Sequence, residues 1–329
     1  MRKQTLLPAV LVALLYLLLA VLRQAGIIGI YWGQIMDLAL ITTIQAVGLS
    51  LIYGFAGQFS LGHAGFYGLG AYVAAYITHT LGGTHLTFAL ALAAGAAAAG
   101  LVALLIGLPI LRLRSDYLGI ATLGFGIIVK VVLDNADKLS PVLGGARGMA
   151  GIPRLTTFHW VFWLAVLTVV VARNLIASSY GRSCIAVRED EVAADIMGLD
   201  TTRFKTLAFV MGCAMAGLAG GLYAHLYSFL HPSSFDFLKS FDVLLVVVLG
   251  GLGSLTGTVV TAVGWVFLLE GLRDVLGQQF LDWRGVAYAL ILIAVMIARP
   301  QGIMGGRELS VGQLFRHRAA RGGADHGAA

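Results

Sequence analysis

Along the chain, long apolar runs alternate with short polar breaks. A helix crossing a hydrocarbon core of about 30 Å needs roughly 20 apolar residues. Runs of that order recur at 6–22, 37–55, 60–79, 86–111, 117–133, 158–177, 207–228 and 283–298. A further run at 241–270 is too long for one upright crossing, because a helix of that length would reach about 45 Å. Gly250-Gly251-Leu252-Gly253-Ser254 sits near its middle and predicts a broken or re-entrant pair of short helices. The pattern therefore predicts an all-α polytopic membrane protein with about eight full spans plus one broken or re-entrant segment.

Composition agrees. Hydrophobic residues make up 59% of the chain and charged residues 12%, and the mean hydropathy is +0.89; soluble domains carry about a quarter charged residues. The 43 glycines suit membrane helices, which approach closely through small residues, and they follow no collagen period. Arg2 and Lys3 precede the first apolar run as in a secretory signal, but Val21-Leu22-Arg23-Gln24 offers no small-x-small cleavage site, so an uncleaved first span is expected.

The net charge of +6 does not form a basic stripe interleaved with aromatics, so nucleic acid is not an expected partner. It reads instead as an orientation signal. Arg2, Lys3, Arg112, Arg114, Arg182, Arg188, Arg203, Lys205, Arg299, Arg307, Arg316, Arg318 and Arg321 all fall on one side if eight spans cross and 241–270 enters and returns. Both termini and the 178–206 loop are then cytoplasmic. The loop 134–157 faces the other side, although it holds Lys138, Arg147 and Arg154. Residues 1–305 are read as one transmembrane domain, and the small, polar tail 306–329 is expected to be disordered. Cys184 and Cys213 show no metal-ligand or redox spacing, and no metal or cofactor is expected.

Three segments stand out. In Tyr53 to Tyr72, Gln58, Ser60 and His63 lie among closely spaced glycines, including Gly57 and Gly62. Glycine at this density disfavours continuous helix, and membrane proteins tolerate unwound backbone where it lines a cavity or is buried in protein. The other reading is a tight inter-helix turn, with His63 a hydrogen-bonded packing residue. The second segment, Gly250 to Gly257, repeats the association of Ser-Leu with glycine, as corresponding breaks in two inverted halves would. Gly253 with Gly257, and Gly217 with Gly221, also match G-x-x-x-G, which marks close helix packing.

The third segment is the polar loop 178–206. Glu189-Asp190-Glu191 precede Val192-Ala193-Ala194-Asp195-Ile196-Met197-Gly198, placing acids where a helix begins and glycine where it stops. A short helix of about ten residues is predicted, followed by Asp200 as the N-cap of the next span. Val192 with Ile196, and Ala193 with Met197, share a small apolar face that packs on a partner or on the chain's own helices.

Absent motifs narrow the function. No G-x-x-x-x-G-K-[ST], H-E-x-x-H or G-x-S-x-G occurs, so the chain has no phosphate-binding loop or hydrolase signature of its own. Lys130, Asp242 and Glu270 sit near expected span ends, which leaves little for a proton or sodium relay.

Together these residues resemble the LivM-type permeases of bacterial branched-chain amino acid ABC importers, over roughly 33–305. The resemblance rests on Tyr53-Gly54 through Gly57-Gln58, Ser60-Leu61-Gly62-His63-Ala64, Asp116-Tyr117-Leu118, Thr122-Leu123-Gly124-Phe125-Gly126, Gly144-Gly145 to Gly151-Ile152, Ala186-Val187-Arg188-Glu189-Asp190-Glu191, Gly250 to Ser254 and Arg299-Pro300-Gln301-Gly302. It implies an inner-membrane permease working with a second homologous permease, two cytoplasmic ATPases and a periplasmic binding protein. It also implies that 189–198 is the helix that docks on an ATPase, through Glu191, Ala193, Ala194, Met197 and Gly198. Gly57, Gln58, Ser60, Gly62, His63, Gly251, Gly253 and Ser254 are the candidates for the path or its gate. The chain departs from the related patterns at Val192, where a Glu is usual, at Ile127 and at Thr258, which leaves urea and amides open as substrates beside branched-chain amino acids. A stand-alone secondary transporter and a membrane acyl or prenyl transferase are the readings from other classes.

Overall fold

The computed structural model describes residues 2–111, 113, 115–276, 286, 289–290, 293–294, 297–299 and 301–305. Eleven helices are described: α1 (Arg2–Gln24), α2 (Ile30–Leu49), α3 (His63–Leu81), α4 (His85–Ile110), α5 (Ser115–Asp134), α6 (Phe158–Ala177), α7 (Ser179–Glu189), α8 (Glu191–Ile196), α9 (Thr201–Tyr227), α10 (Phe237–Gly250) and α11 (Leu255–Leu276). A π-helical turn, Ser50–Phe55, continues α2. Two-residue strands β1 (Met149–Ala150) and β2 (Phe229–Leu230) pair antiparallel.

Among the described residues, six helical stretches are long and apolar enough to cross a membrane: Ile30–Phe55, His85–Ile110, Tyr117–Asp134, Phe158–Ala177, Thr201–Tyr227 and Leu255–Arg273. The chain is thus a polytopic helical membrane protein, though this set differs from the eight expected spans. Helices α1 and α3 occupy the expected spans at 6–22 and 60–79, but α3 is diluted by glycine, tyrosine, histidine and threonine. The expected span 283–298 lies for the most part, and the tail 306–329 wholly, outside the described residues.

The run 241–270 is broken where its glycines stand, but its halves are unequal. Helix α10 has 14 residues, about 21 Å of helix, which falls short of a hydrocarbon core. Helix α11 has 22 residues and is long enough to cross. The expected pair of short helices is therefore one half-length and one full-length helix.

Element ends gather at two poles. At one, β1 meets β2, and a Cβ on Gly83 would touch the Pro153 side chain at 2.9 Å. At the other, α7 lies beside the π turn that ends α2, and α7 and α8 both pack on α9; Arg188 of α7 donates to the Gly54 carbonyl.

Between the poles, α9 packs on α2, α3 and α4 through backbone-to-backbone approaches. A Cβ on Gly70 of α3 would stand 2.3 Å from Gly217 Cα in α9, and one on Gly220 would stand 1.9 Å from the Tyr67 carbonyl oxygen. No side chain fits at either crossing, so α3 and α9 meet backbone to backbone, and a buried hydrogen bond of 2.8 Å between Thr78 and His225 joins them further along. Phe66, Tyr67, Phe88, Phe209 and Leu222 fill the core around these crossings.

Candidate functional site

The site begins where α2 stops being regular. In the π turn the hydrogen bonds lengthen in register: Ala56 N donates to Leu51 O at 3.2 Å, and beyond it Gln58 N reaches Ile52 O at 3.0 Å. Such wide turns occur at functional sites. Gly57 then takes φ +70°, a left-handed conformation glycine adopts without strain, and the chain stays non-helical until His63. The unwinding is confined to 56–62. Gly65, Gly68 and Gly70, read from sequence as part of the break, lie within α3, where they permit close packing.

Helices α5 and α10, and α2 itself, hold the break and the first turn of α3. Thr122 Oγ1 of α5 accepts from Leu61 N at 3.0 Å, Ser240 Oγ of α10 accepts from Ala64 N at 2.9 Å, and His63 Nε2 lies 3.1 Å from the Gln45 carbonyl of α2. A carbonyl can only accept, so Nε2 carries the proton and Nδ1 presents a lone pair. Gly62 lets the break approach α5, since a Cβ there would stand 2.1 Å from Thr122 O.

The side chains here are buried, and several of their polar atoms take no part in the fold's hydrogen bonding. Gln58 is 2% exposed, and Ser60 and His63 are 0% exposed. Both amide atoms of Gln58, the Ser60 hydroxyl and His63 Nδ1 have no hydrogen-bond partner among the described residues, and neither does Gln45 Nε2 on the adjoining helix. Each such group costs about 1–3 kcal/mol when left unsatisfied in a protein interior.

The second break adjoins the first. Gly251 and Gly253 take φ of +104° and +83°. A Cβ on Gly54 would stand 3.1 Å from Gly253 N, and Thr258 Oγ1 donates to Ser50 Oγ at 3.3 Å. The sequence-expected path residue Ser254 has a structural duty here: its Oγ accepts from Gly257 N at 3.1 Å, capping α11. Gly302 packs its own backbone on Gly251, and Ile303 N donates to Leu249 O at 2.8 Å, closing the end of α10. That gives Gly302, the last residue of the Arg-Pro-Gln-Gly motif, a concrete place.

The polar loop 178–206 holds two helices where one was expected. Helix α7 was hidden by its arginines, but Gly181, Cys184 and Val187 recur at helical spacing on its buried face. Cys184 packs with Ala56, Ala208 and Phe204, and burial pushes its thiol up to about 11. Helix α8 has six residues and starts at Asp190, whose side chain accepts from Val192 N and Ala193 N. It stops at Gly198, φ +83°. Asp200 caps α9 through Arg203 N, and Lys205 of α9 pairs with Glu191.

One expected docking residue is misplaced. Ala194 is 5% exposed and turns toward its own chain, while Val192, Ile196 and Met197 are 69%, 80% and 81% exposed. A helix of one and a half turns has a single inner side, and Ala194 is on it. The outward apolar face is Val192, Ile196 and Met197, beside exposed Ala193.

Comparison with known proteins identifies the family. Residues 31–297 match the family described as the branched-chain amino acid transport system permease component. The chain belongs to that family. It is 34% identical over 305 residues to the high-affinity branched-chain amino acid transport system permease protein LivM of Salmonella typhimurium, covering 82% of this chain and 69% of that protein. Identity to the Escherichia coli LivM is 35% over the same length and shares. The related permease LivH of Escherichia coli is 28% identical over 286 residues, 80% of this chain and 91% of that protein. No solved structure matches. Of the residues that departed from the family pattern, Ile127 is 47% exposed on the outside of α5, and Thr258 is buried against Ser50.

Proposed function

We propose that this permease component carries branched-chain amino acids across the bacterial inner membrane as one of two related permease subunits, driven by two ATPases on the cytoplasmic side and fed by a periplasmic binding protein. It does no covalent chemistry. One observation carries the reading: a break lined by the buried Gln58 amide, Ser60 hydroxyl and His63 Nδ1, none with a partner among the described residues, adjoins, through α7, a helix with an exposed apolar face. Polar groups that serve no hydrogen bond of the fold can serve a polar solute, and an apolar face in water wants a partner.

In this reading Gly57, Gly62, Gly251 and Gly253 allow the bends that place Gln58, Ser60 and His63 along the path, and Ser254 steadies the second bend. Val192, Ala193, Ile196 and Met197 dock on the ATPase, Gly198 ends the docking helix, Glu191 ties it to α9, and Ala194 supports it from behind. In this reading both termini lie on the cytoplasmic side.

Uptake of labelled leucine, urea and acetamide, measured in cells with and without the gene, tests this. Leucine uptake that disappears with the gene, and returns only when the ATPases are also present, is the expected result. Preferential urea or acetamide uptake would replace the substrate but keep the importer. Concentrative uptake by the isolated chain under a proton or sodium gradient would make it a secondary transporter and overturn the reading.

A further inference from the structure

We propose that Arg188 is the latch that transmits the state of the docking helix to both glycine breaks; this rests on the importer reading above. Arg188 is the penultimate residue of α7, two positions before the cap of α8. Its Nη1 donates to the Gly54 carbonyl at 2.6 Å, a carbonyl in the last turn of the π segment, where a cation is favoured. Its stem lies on Gly57, where a Cβ would stand 2.7 Å from Arg188 Cγ. Its Nη1 also lies 2.9 Å from where a Cβ of Gly253 would stand. One side chain therefore touches both breaks.

The remaining edge of the guanidinium is held by Glu189, with Nε donating to Oε1 at 3.1 Å. The fork is thus oriented from its own helix, which only a planar, multi-donor cation allows. On the other side of Asp190, α8 is tied to α9 by the Glu191–Lys205 pair. A displacement of α8 by a partner has a short route to Gly54, Gly57 and Gly253, through Asp190 and Arg188. The glycines explain themselves on the same geometry: any side chain at 57 or 253 would displace the arginine as well as strain the backbone.

The test uses both permeases and both ATPases reconstituted in liposomes, with the binding protein supplied. In Arg188→Ala, uptake is expected to fall roughly tenfold to a hundredfold, the loss equivalent to one charge-assisted hydrogen bond. Basal ATP hydrolysis should continue but no longer rise with substrate-loaded binding protein, and the amounts of permease and bound ATPase should be those of wild type. Arg188→Lys keeps the charge and a donor for Gly54 O but not the planar fork, and should restore part of the response. Gly54→Ala pushes a methyl between the two breaks without altering the guanidinium, and should uncouple in the same way. Wild-type stimulation in Arg188→Ala overturns the latch. Loss of permease from the membrane in both Arg188 variants makes Arg188 a folding residue and also overturns it. A wild-type complex without substrate-stimulated hydrolysis fails the importer reading instead.

Discussion

Arg23 and Asp37 form a forked ion pair, with Nη1 donating to Oδ1 and Nη2 to Oδ2, each at 2.8 Å. Asp37 is 2% exposed, and Arg23 also lies over the Phe158 ring, 5.3 Å from its centroid. The pair thereby joins α1 to α2 and α6. Arg23→Met strands a carboxylate in the apolar interior and is expected to cost about 3–5 kcal/mol. Arg23→Met with Asp37→Leu removes both charges and should recover most of that loss. Thermal unfolding of the two variants in detergent measures the difference, and equal destabilisation by the single and double changes would show that the pairing is not what matters.

The outward face of α8 makes a separable claim. Met197→Asp or Ile196→Arg should abolish ATPase recruitment and uptake at normal permease abundance, because each would bury an unpaired ion in a partner interface at a cost of several kcal/mol. Ala194→Arg should behave differently and lower abundance, because Ala194 is buried in its own chain. Co-purification of the ATPase and membrane immunoblots separate the two classes. Recruitment at wild-type levels in Met197→Asp and Ile196→Arg would remove α8 from the docking surface.

The sequence made the apolar runs and both glycine breaks legible, because a lipid-crossing helix needs about 20 predominantly apolar residues in a row and glycine weakens a helix interior. Gln58, Ser60 and His63 were legible as polar residues in such a break. What periodicity could not give was direction: Ala194 has the same small side chain as Ala193, and only the placement of α7 against α9 decides which turns inward. Helix α7 was read as loop because Arg182, Arg188 and Glu189 outweigh its narrow buried stripe. Arg188 stood inside a quoted motif without a role, since its partners at Gly54 and Gly253 are far away in the chain. The length of α11 was missed because Glu270 suggested an end, whereas its carboxylate is paired with Arg273 one turn on and the helix continues.

Orientation is checked by labelling from outside. Leu139 is 77% exposed in the 134–157 loop, and Asp195 is exposed on α8. Leu139→Cys should react with an impermeant maleimide in intact cells, while Asp195→Cys should react only after permeabilisation. The native cysteines can stay: both are buried, and the raised Cys184 thiol holds little reactive thiolate at neutral pH. Labelling of Asp195→Cys in intact cells would invert the arrangement.

The sharpest expectation sets stability against transport at Gln58. Its amide is 2% exposed and neither atom has a partner among the described residues. Methionine has nearly the same length and no polar group to satisfy, so Gln58→Met relieves a desolvation penalty and should raise stability by about 1–3 kcal/mol. Ser60→Ala should follow the same trend on a smaller scale, because it removes one unpartnered hydroxyl and little volume. If these groups meet the solute, both changes should lower uptake while the protein becomes harder to unfold. His63→Leu is the contrasting case: it also removes the Nε2 bond to the Gln45 carbonyl, so stability and uptake should fall together. Unfolding midpoints and initial uptake rates, taken on the same preparations, separate the two patterns. A Gln58→Met permease that is less stable than wild type would mean that the amide serves the fold, and would remove it from the path.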